Sequence, residues 1–147
     1  MVKNTGKISQ KDVKDNAFLD LIIDSIQDIK GKSIVQIDLR HIPDAPAKFF
    51  VITEGESSTQ IKAIAHNVYR RVKSEFEGIE GRSEGQIGAK WVLVDFFDVV
   101  VHIFDKATRH YYDLEDLWSD GKFKEYQKSL ENEKSKFAAY NTLWSCL

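Results

Sequence analysis

Residues 91–118 read WVLVDFFDVVVHIFDKATRHYYDLEDLW. Two runs in it, Trp91–Val94 and Val99–Phe104, are made of β-branched and aromatic residues. That composition fits a pleated, half-buried surface and predicts two strands. The link Asp95-Phe96-Phe97-Asp98 has the length of a hairpin turn. Lys106 to Tyr112 then reads as a short helix. The far end is dense in rings, with His110, Tyr111, Tyr112 and Trp118 close together. Rings at that density need either a core or a partner, and on physical grounds both remain open.

Working outward, Phe18, Leu19, Ile22, Ile23, Ile26 and Ile29 recur at three and four residues, which predicts an amphipathic helix over 15–29 ended by Gly31. Ser33–Leu39 alternates as a half-buried strand does. Residues 41–46 hold both prolines and read as a loop. Phe49–Thr53 is continuously apolar, the pattern of a central strand. Ser57 and Gln60 have capping-box spacing, and a helix follows from Ser58 to Lys73, with Ile61, Ile64, Ala65, Val68 and Val72 on its core face. Glu75–Glu84 reads as a short strand or extended segment, and Ser119–Gln127 as a polar helix. In 134–147, Phe137, Tyr140, Trp144 and Leu147 fall near helical spacing. A docking helix and a loose chain end both fit that pattern. The expected architecture is α/β (α+β), a mixed sheet of about five strands covered by helices. Its expected parts are a flexible arm over 1–14, a domain over 15–120 and a tail over 121–147.

The whole chain of 147 residues can bury a sizeable core as one domain. A net charge of −2 argues against a phosphate backbone as the main partner. The single cysteine, Cys146, cannot build a disulfide framework or a cysteine zinc site, which implies a reducing compartment. The polar N-terminus has no apolar core like that of a secretory signal, and no apolar run approaches bilayer length. A cytoplasmic protein is the expectation.

Catalytic chemistry finds little support. Asp95, Asp98, His102 and Asp105 form the best candidate metal set. Asp98 and Asp105, however, stand at opposite ends of a strand, roughly 20 Å apart at ~3.3 Å per residue, so one ion cannot take both. Turn carboxylates and a hydrogen-bonded sheet histidine explain the set better. Gly55-Glu56-Ser57 could meet a phosphate at a helix start, but the lysine of a P-loop and the further glycines of a dinucleotide fingerprint are missing, and an N-cap is the better role. His41, His66 and His110 have no ligand spacing among them, and Cys146 has no base nearby in sequence. The basic run Arg70-Arg71-Val72-Lys73 reads as a solvated helix face rather than an RNA contact. What remains is the block Trp91, Phe96, Phe97, Tyr111, Tyr112 and Trp118, rings of the kind that anchor protein interfaces.

Combined motifs in this block resemble those of the ribosomal silencing factor, or Iojap, family. The first runs through Trp91, Val92, Leu93, Asp95, Asp98 and Val99–Phe104 and continues at Arg109, Tyr112, Asp113, Leu114, Glu115, Leu117 and Trp118. Upstream, Phe50-Val51-Ile52, Gly55, Ser57, Gln60, Ala63-Ile64-Ala65 and Glu80-Gly81 also match, so the resemblance spans about residues 15–120. It implies a nucleotidyltransferase-like fold used without catalysis or cofactor. It also implies binding to the fourteenth protein of the large ribosomal subunit, at the face where the small subunit docks. Blocking an intersubunit bridge there would lower translation when nutrients are short. Homodimers are implied too.

The expected partner surface is Trp91, Leu93, Asp95, Phe97, Asp98, His102, Arg109, Tyr112 and Trp118. Trp91 and Tyr112 would be apolar anchors, and Arg109 with the acidic residues would set register through charge-assisted hydrogen bonds. The chain departs from the family at Lys48-Phe49, where an acidic-aromatic pair is common, and at Phe97, where a turn glycine is common. Gln86–Lys90 adds length, and after about Gln127 no family motif is discernible. The competing class is a metal-dependent nucleotidyltransferase relative. It would need paired carboxylates on a strand, and Asp38-Leu39-Arg40 puts an arginine at the second place.

Overall fold

The computed structural model describes residues 10–126. In chain order these form α1 (Gln10–Asp28), β1 (Lys32–Asp38), β2 (Phe49–Glu54), α2 (Ser58–Glu75), β3 (Arg82–Glu84), β4 (Trp91–Asp95), β5 (Val99–Phe104), α3 (Lys106–Tyr112), α4 (Leu114–Leu117) and β6 (Lys122–Tyr126). The strands make one mixed sheet in the order β3-β4-β5-β2-β1-β6. Among the described residues its only parallel pair is β2 with β5, joined through α2 and the β3–β4 ribbon. β2 lies between β1 and β5 with five of its six residues buried, as its continuous apolar run predicts.

α1 and α2 cover one face of the sheet. Ile22, Ile26, Ile64, Val68 and Val72 meet Val51, Val92, Val94, Val101 and Ile103, all essentially without solvent contact. Polar groups zip the two helices together. The Asn67 amide donates to the Ser25 carbonyl at 2.8 Å, and the Arg71 guanidinium reaches Asp24 at 2.7 Å and Asp28 at 2.8 Å. Arg70 bonds Asn67, so the basic run is largely engaged within the chain. Ser57 caps α2 by accepting from the Gln60 N–H, and the Gln60 side chain accepts from the Glu56 N–H while donating to the carbonyls of Ile29 and Lys30. The capping box thus also ties the start of α2 to the end of α1.

Three expectations change. Among the described residues the sheet has six strands, where about five were expected. The first helix begins at Gln10, so residues 10–14, expected in the arm, are helical. The helix expected over 119–127 is instead strand β6, paired antiparallel with β1. In Lys122-Phe123-Lys124-Glu125-Tyr126 the two apolar residues stand three apart, a helical spacing, and over five residues that spacing does not separate strand from helix. The outer edge of β1, with Ile34 and Ile37 to cover, decides it: Tyr126 pairs with Ile34 and Phe123 with Ile37. The stripe of Phe137, Tyr140, Trp144 and Leu147 lies outside the described residues.

Candidate partner-binding face

Among the described residues, the second face of the sheet is only partly roofed. Strand alternation places Trp91, Leu93 and Asp95 of β4 on it. Val100, His102 and Phe104 of β5 stand opposite them in the pairs Asp95–Val100, Leu93–His102 and Trp91–Phe104. Phe50 and Ile52 of β2 and Val35 and Ile37 of β1 continue it. Leu114 and Trp118 from the α4 corner cover part of it, as do Ile42, Ala45 and Ala47 from the β1–β2 loop. Trp91, Leu93, Asp95, Val100 and Trp118 stay half-exposed.

A continuous run of rings crosses this face. Tyr111 meets Tyr112 at 5.0 Å between centroids, and Tyr112 meets Trp91 at 4.7 Å. Trp91 stacks on Phe104 at 4.9 Å, His102 meets Phe50 edge-on at 4.6 Å, and Phe50 meets Trp118 at 5.9 Å. Offset and edge-to-face contacts of this kind add to simple area burial. The run grades from core to surface: inner rings are buried, and it ends in Tyr112, 53% exposed, and Tyr111, 75% exposed.

His102 holds the middle. It is 5% exposed. Its Nδ1 accepts from the Trp91 indole N–H at 3.1 Å, which fixes the indole, and its buried Nε2 has no hydrogen-bond partner. Burial pushes its pKa down to about 4, against a smaller opposing pull from the Asp95 charge. A neutral ring is what the indole bond requires, since Nδ1 must be an acceptor.

At the far end of β4 and β5 the hairpin closes around Phe97. The Phe96 N–H donates to the Val99 carbonyl and the Asp98 N–H to the Phe96 carbonyl, both at 2.9 Å. Asp95 Oδ1 accepts from the Phe97 N–H at 2.7 Å. Phe97 takes a φ of +73° and is 85% exposed, whereas its neighbour Phe96 is buried edge-on against Phe18 at 5.6 Å. Gly81 lies beneath Phe96, and a Cβ there would come within 2.6 Å of its ring. That contact is the physical content of the Glu80-Gly81 step.

Arg109 departs from its expected place. It is 8% exposed, and its donors are used inside the chain. Nε and Nη2 grip the Glu115 carboxylate at 3.0 and 3.1 Å, while Nη1 reaches the Ser33 carbonyl at 2.7 Å and Glu54 at 3.2 Å. It clamps α3, α4, β1 and β2 together and so positions Tyr112 and Trp118 without presenting a charge outward. The remaining expected residues assemble along one side, from Tyr112 by Trp91 at one end of β4 to Phe97 and Asp98 at the other, a span of roughly 20 Å at ~3.4 Å per residue. Val100, Leu117 and Phe123 belong to the same exposed apolar set. Val100 was findable, since it alternates with His102. Phe123 was hidden by the helical reading of its segment.

Two carboxylates that the enzymatic alternative would draw on are engaged within the chain. Asp38 Oδ1 and Oδ2 are held by the Arg40 guanidinium at 3.0 and 2.8 Å. Burial opposes ionisation of Asp38, and Arg40 more than offsets it, holding the carboxyl below the usual range. Asp105 caps α3, accepting from the Thr108 N–H at 2.7 Å. Among the described residues no three His, Cys, Asp or Glu side chains gather where a metal ion could be held. No described helix is long and apolar enough to cross a membrane.

A sequence model of the family described as ribosomal silencing factor during starvation matches residues 12–144. The chain belongs to the ribosomal silencing factor family. The match runs beyond Gln127, where recognisable motifs end. A ribosomal silencing factor of Halalkalibacterium halodurans is 43% identical over 104 residues, 70% of this chain and 86% of its own. The crystal structure of a Chromobacterium violaceum protein aligns with a TM-score of 0.66 at 37% identity, covering 71% of this chain and 85% of that one. A mouse relative named "Mitochondrial assembly of ribosomal large subunit protein 1" is 32% identical over 74 residues, 48% of this chain and 32% of its own length. These family names are those of ribosome regulators rather than of enzymes.

Proposed function

We propose that this silencing factor docks its half-open sheet face on the large ribosomal subunit, against that subunit's fourteenth protein, and there obstructs an intersubunit bridge. Small-subunit joining is then excluded sterically, and translation falls under nutrient limitation. No bond is made or broken, so potency is set by affinity and occupancy alone. The observation that carries this reading is the ring run from Trp118 through Phe50, His102 and Trp91 to the exposed Tyr112 and Tyr111. An apolar surface with aromatic anchors and an acidic rim is the anatomy of a protein interface. Trp91, Leu93, Tyr112 and Trp118 make its centre, and Asp95, Phe97 and Asp98 its far rim. His102 and Arg109 act from beneath as positioning residues. A homodimer would use an overlapping surface and so compete with docking.

The test is sedimentation of the full chain with isolated large subunits, followed by light scattering of subunit joining. The chain should travel with large subunits and slow joining in proportion to occupancy. Leu93→Glu should abolish both while leaving the unfolding midpoint near that of the native chain. A native chain that stays at the top of the gradient, or binds and leaves joining unchanged, overturns the proposal.

A further inference from the structure

We propose that Phe97 is a preformed anchor that enters an apolar pocket, rimmed by lysine or arginine, on a protein of the large subunit, and that it sets which partner surface this chain accepts. The inference rests on the docking reading above and adds a determinant of specificity to it.

The two phenylalanines of the turn have opposite roles. Phe96 is 5% exposed and seats the hairpin among Phe18, Gly81 and the α1 side of the core. Phe97 is 85% exposed and sits in the left-handed region, at φ +73°. Left-handed backbone disfavours any residue with a Cβ and is most unfavourable for bulky ones. Glycine would relieve the strain, and a polar residue would relieve the exposure. The Asp98 N–H bond to the Phe96 carbonyl, across a residue of positive φ, is the mark of the rarer, strained kind of γ-turn. Among the described residues nothing repays this: the ring stacks on no other and stands out from the hairpin tip, 85% exposed. A strained, exposed aromatic of this kind is where function outweighs local stability.

The mount is rigid. The Asp98 carbonyl accepts from the Lys48 and Phe49 N–H groups at 2.8 and 3.1 Å, and Asp95 holds the Phe97 N–H. A ring shown on a fixed post loses little freedom on docking, which favours binding. The carboxylates of Asp95 and Asp98 on either side give the charge of the complementary pocket, a cationic rim. Lys48 lies 3.5 Å from Asp98 in an exposed pair, weak enough to exchange for a partner's cation.

The test compares full-length F97G, F97N and F97L with the native chain. Thermal unfolding, affinity for isolated large subunits and the mass of the free protein are measured for each. F97G should unfold a few degrees higher, and F97N no lower, since both residues accept positive φ. Both should bind large subunits at least about tenfold more weakly. F97L, still apolar, should stay within about threefold of native. Unchanged affinity in F97G and F97N overturns the proposal. So does a change in the free protein's mass with unchanged subunit affinity, which would assign the ring to a second copy of the chain. A lower midpoint for both F97G and F97N overturns the strain argument and the proposal with it. If the native chain itself fails to sediment with large subunits, the docking reading falls first and takes this inference with it.

Discussion

The two faces of the sheet are built from the same kinds of residue and kept in different states. On the α1/α2 face, Val51, Ile64, Val68, Val92, Val101 and Ile103 lose all solvent contact under two helices of 19 and 18 residues. On the other face, the roof among the described residues is a four-residue helix and a loop, and Trp91, Leu93, Val100 and Trp118 stay half-exposed. A chain able to bury an aliphatic face completely on one side leaves an aromatic one half-bare on the other. The first face answers to folding. The second is the face proposed above to meet a partner.

The largest test of that contrast is truncation on each side. Ile64→Ala, in the closed core, should lower unfolding free energy by about 4 kcal/mol, through lost transfer energy plus a cavity. Leu93→Ala, on the half-open face, should cost about 1 kcal/mol or less, because solvent fills what it leaves. Urea unfolding measures both. Equal losses would mean that the second face is core and would remove the ground for docking. Next comes Arg109→Ala, which strands Glu54 and Glu115 and the Ser33 carbonyl. Full burial would make that cost larger, but Glu115 is 30% exposed at its side chain, so about 3 kcal/mol is expected. The same change should loosen the α3–α4 corner and weaken subunit binding beyond its effect on stability. A loss of binding no greater than that in Ile64→Ala, measured well below both midpoints, would reduce Arg109 to a fold residue.

Arg109 also shows how far sequence can reach. Its motif position marked it as important, and residue type suggested an outward charge pair. Only the three-dimensional meeting of Glu54, Glu115 and the Ser33 carbonyl reveals a clamp, because those partners lie 55, 6 and 76 residues away. The β4–β5 hairpin, both long helices and the central place of β2 were legible, since each rests on a local period. β6 was not, because its strand state is imposed by the open edge of β1. The φ of +73° at Phe97 was foreshadowed by the glycine common there in the family, but its exposure was not.

A smaller effect separates the faces by pH. His102 titrates near 4 when folded, because burial disfavours its charge, against about 6.5 in an unfolded chain. Between those values the unfolded state binds the extra proton. Stability is therefore complete above about pH 6.5 and falls as pH drops toward 4, by about 2 kcal/mol at pH 4.5 from this residue. His102→Gln keeps a possible acceptor for the Trp91 indole and cannot titrate. Its urea midpoint at pH 4.5, referred to its own value at pH 7, should fall less than the native one. Trp fluorescence followed through the same range should shift with the native chain only, since proton uptake at Nδ1 breaks the indole bond. Parallel pH curves would show that His102 is already protonated or is exposed.

The smallest expected effect lies at the rim, between Lys48 and Asp98. The pair is 3.5 Å apart, with the two side chains 33% and 51% exposed. Pairs of that exposure contribute about 0–1 kcal/mol and are screened by salt. The backbone link from the Lys48 N–H to the Asp98 carbonyl at 2.8 Å persists whatever side chain stands at 48. Lys48→Ala should therefore move stability by about 0.5 kcal/mol or less, and a double-mutant cycle with Asp98→Asn should show little coupling. Affinity for large subunits should respond differently. Removing Lys48 frees the Asp98 carboxylate for a partner cation, so binding should tighten at low salt and the gain should vanish as salt rises. Lys48→Glu adds a second like charge beside Asp98 and should loosen the hairpin tip that carries Phe97. A stability loss from Lys48→Ala as large as that from Arg109→Ala would place the rim pair in the fold and blur the line between the two faces. A salt-dependent change in affinity with stability unmoved would draw it more sharply.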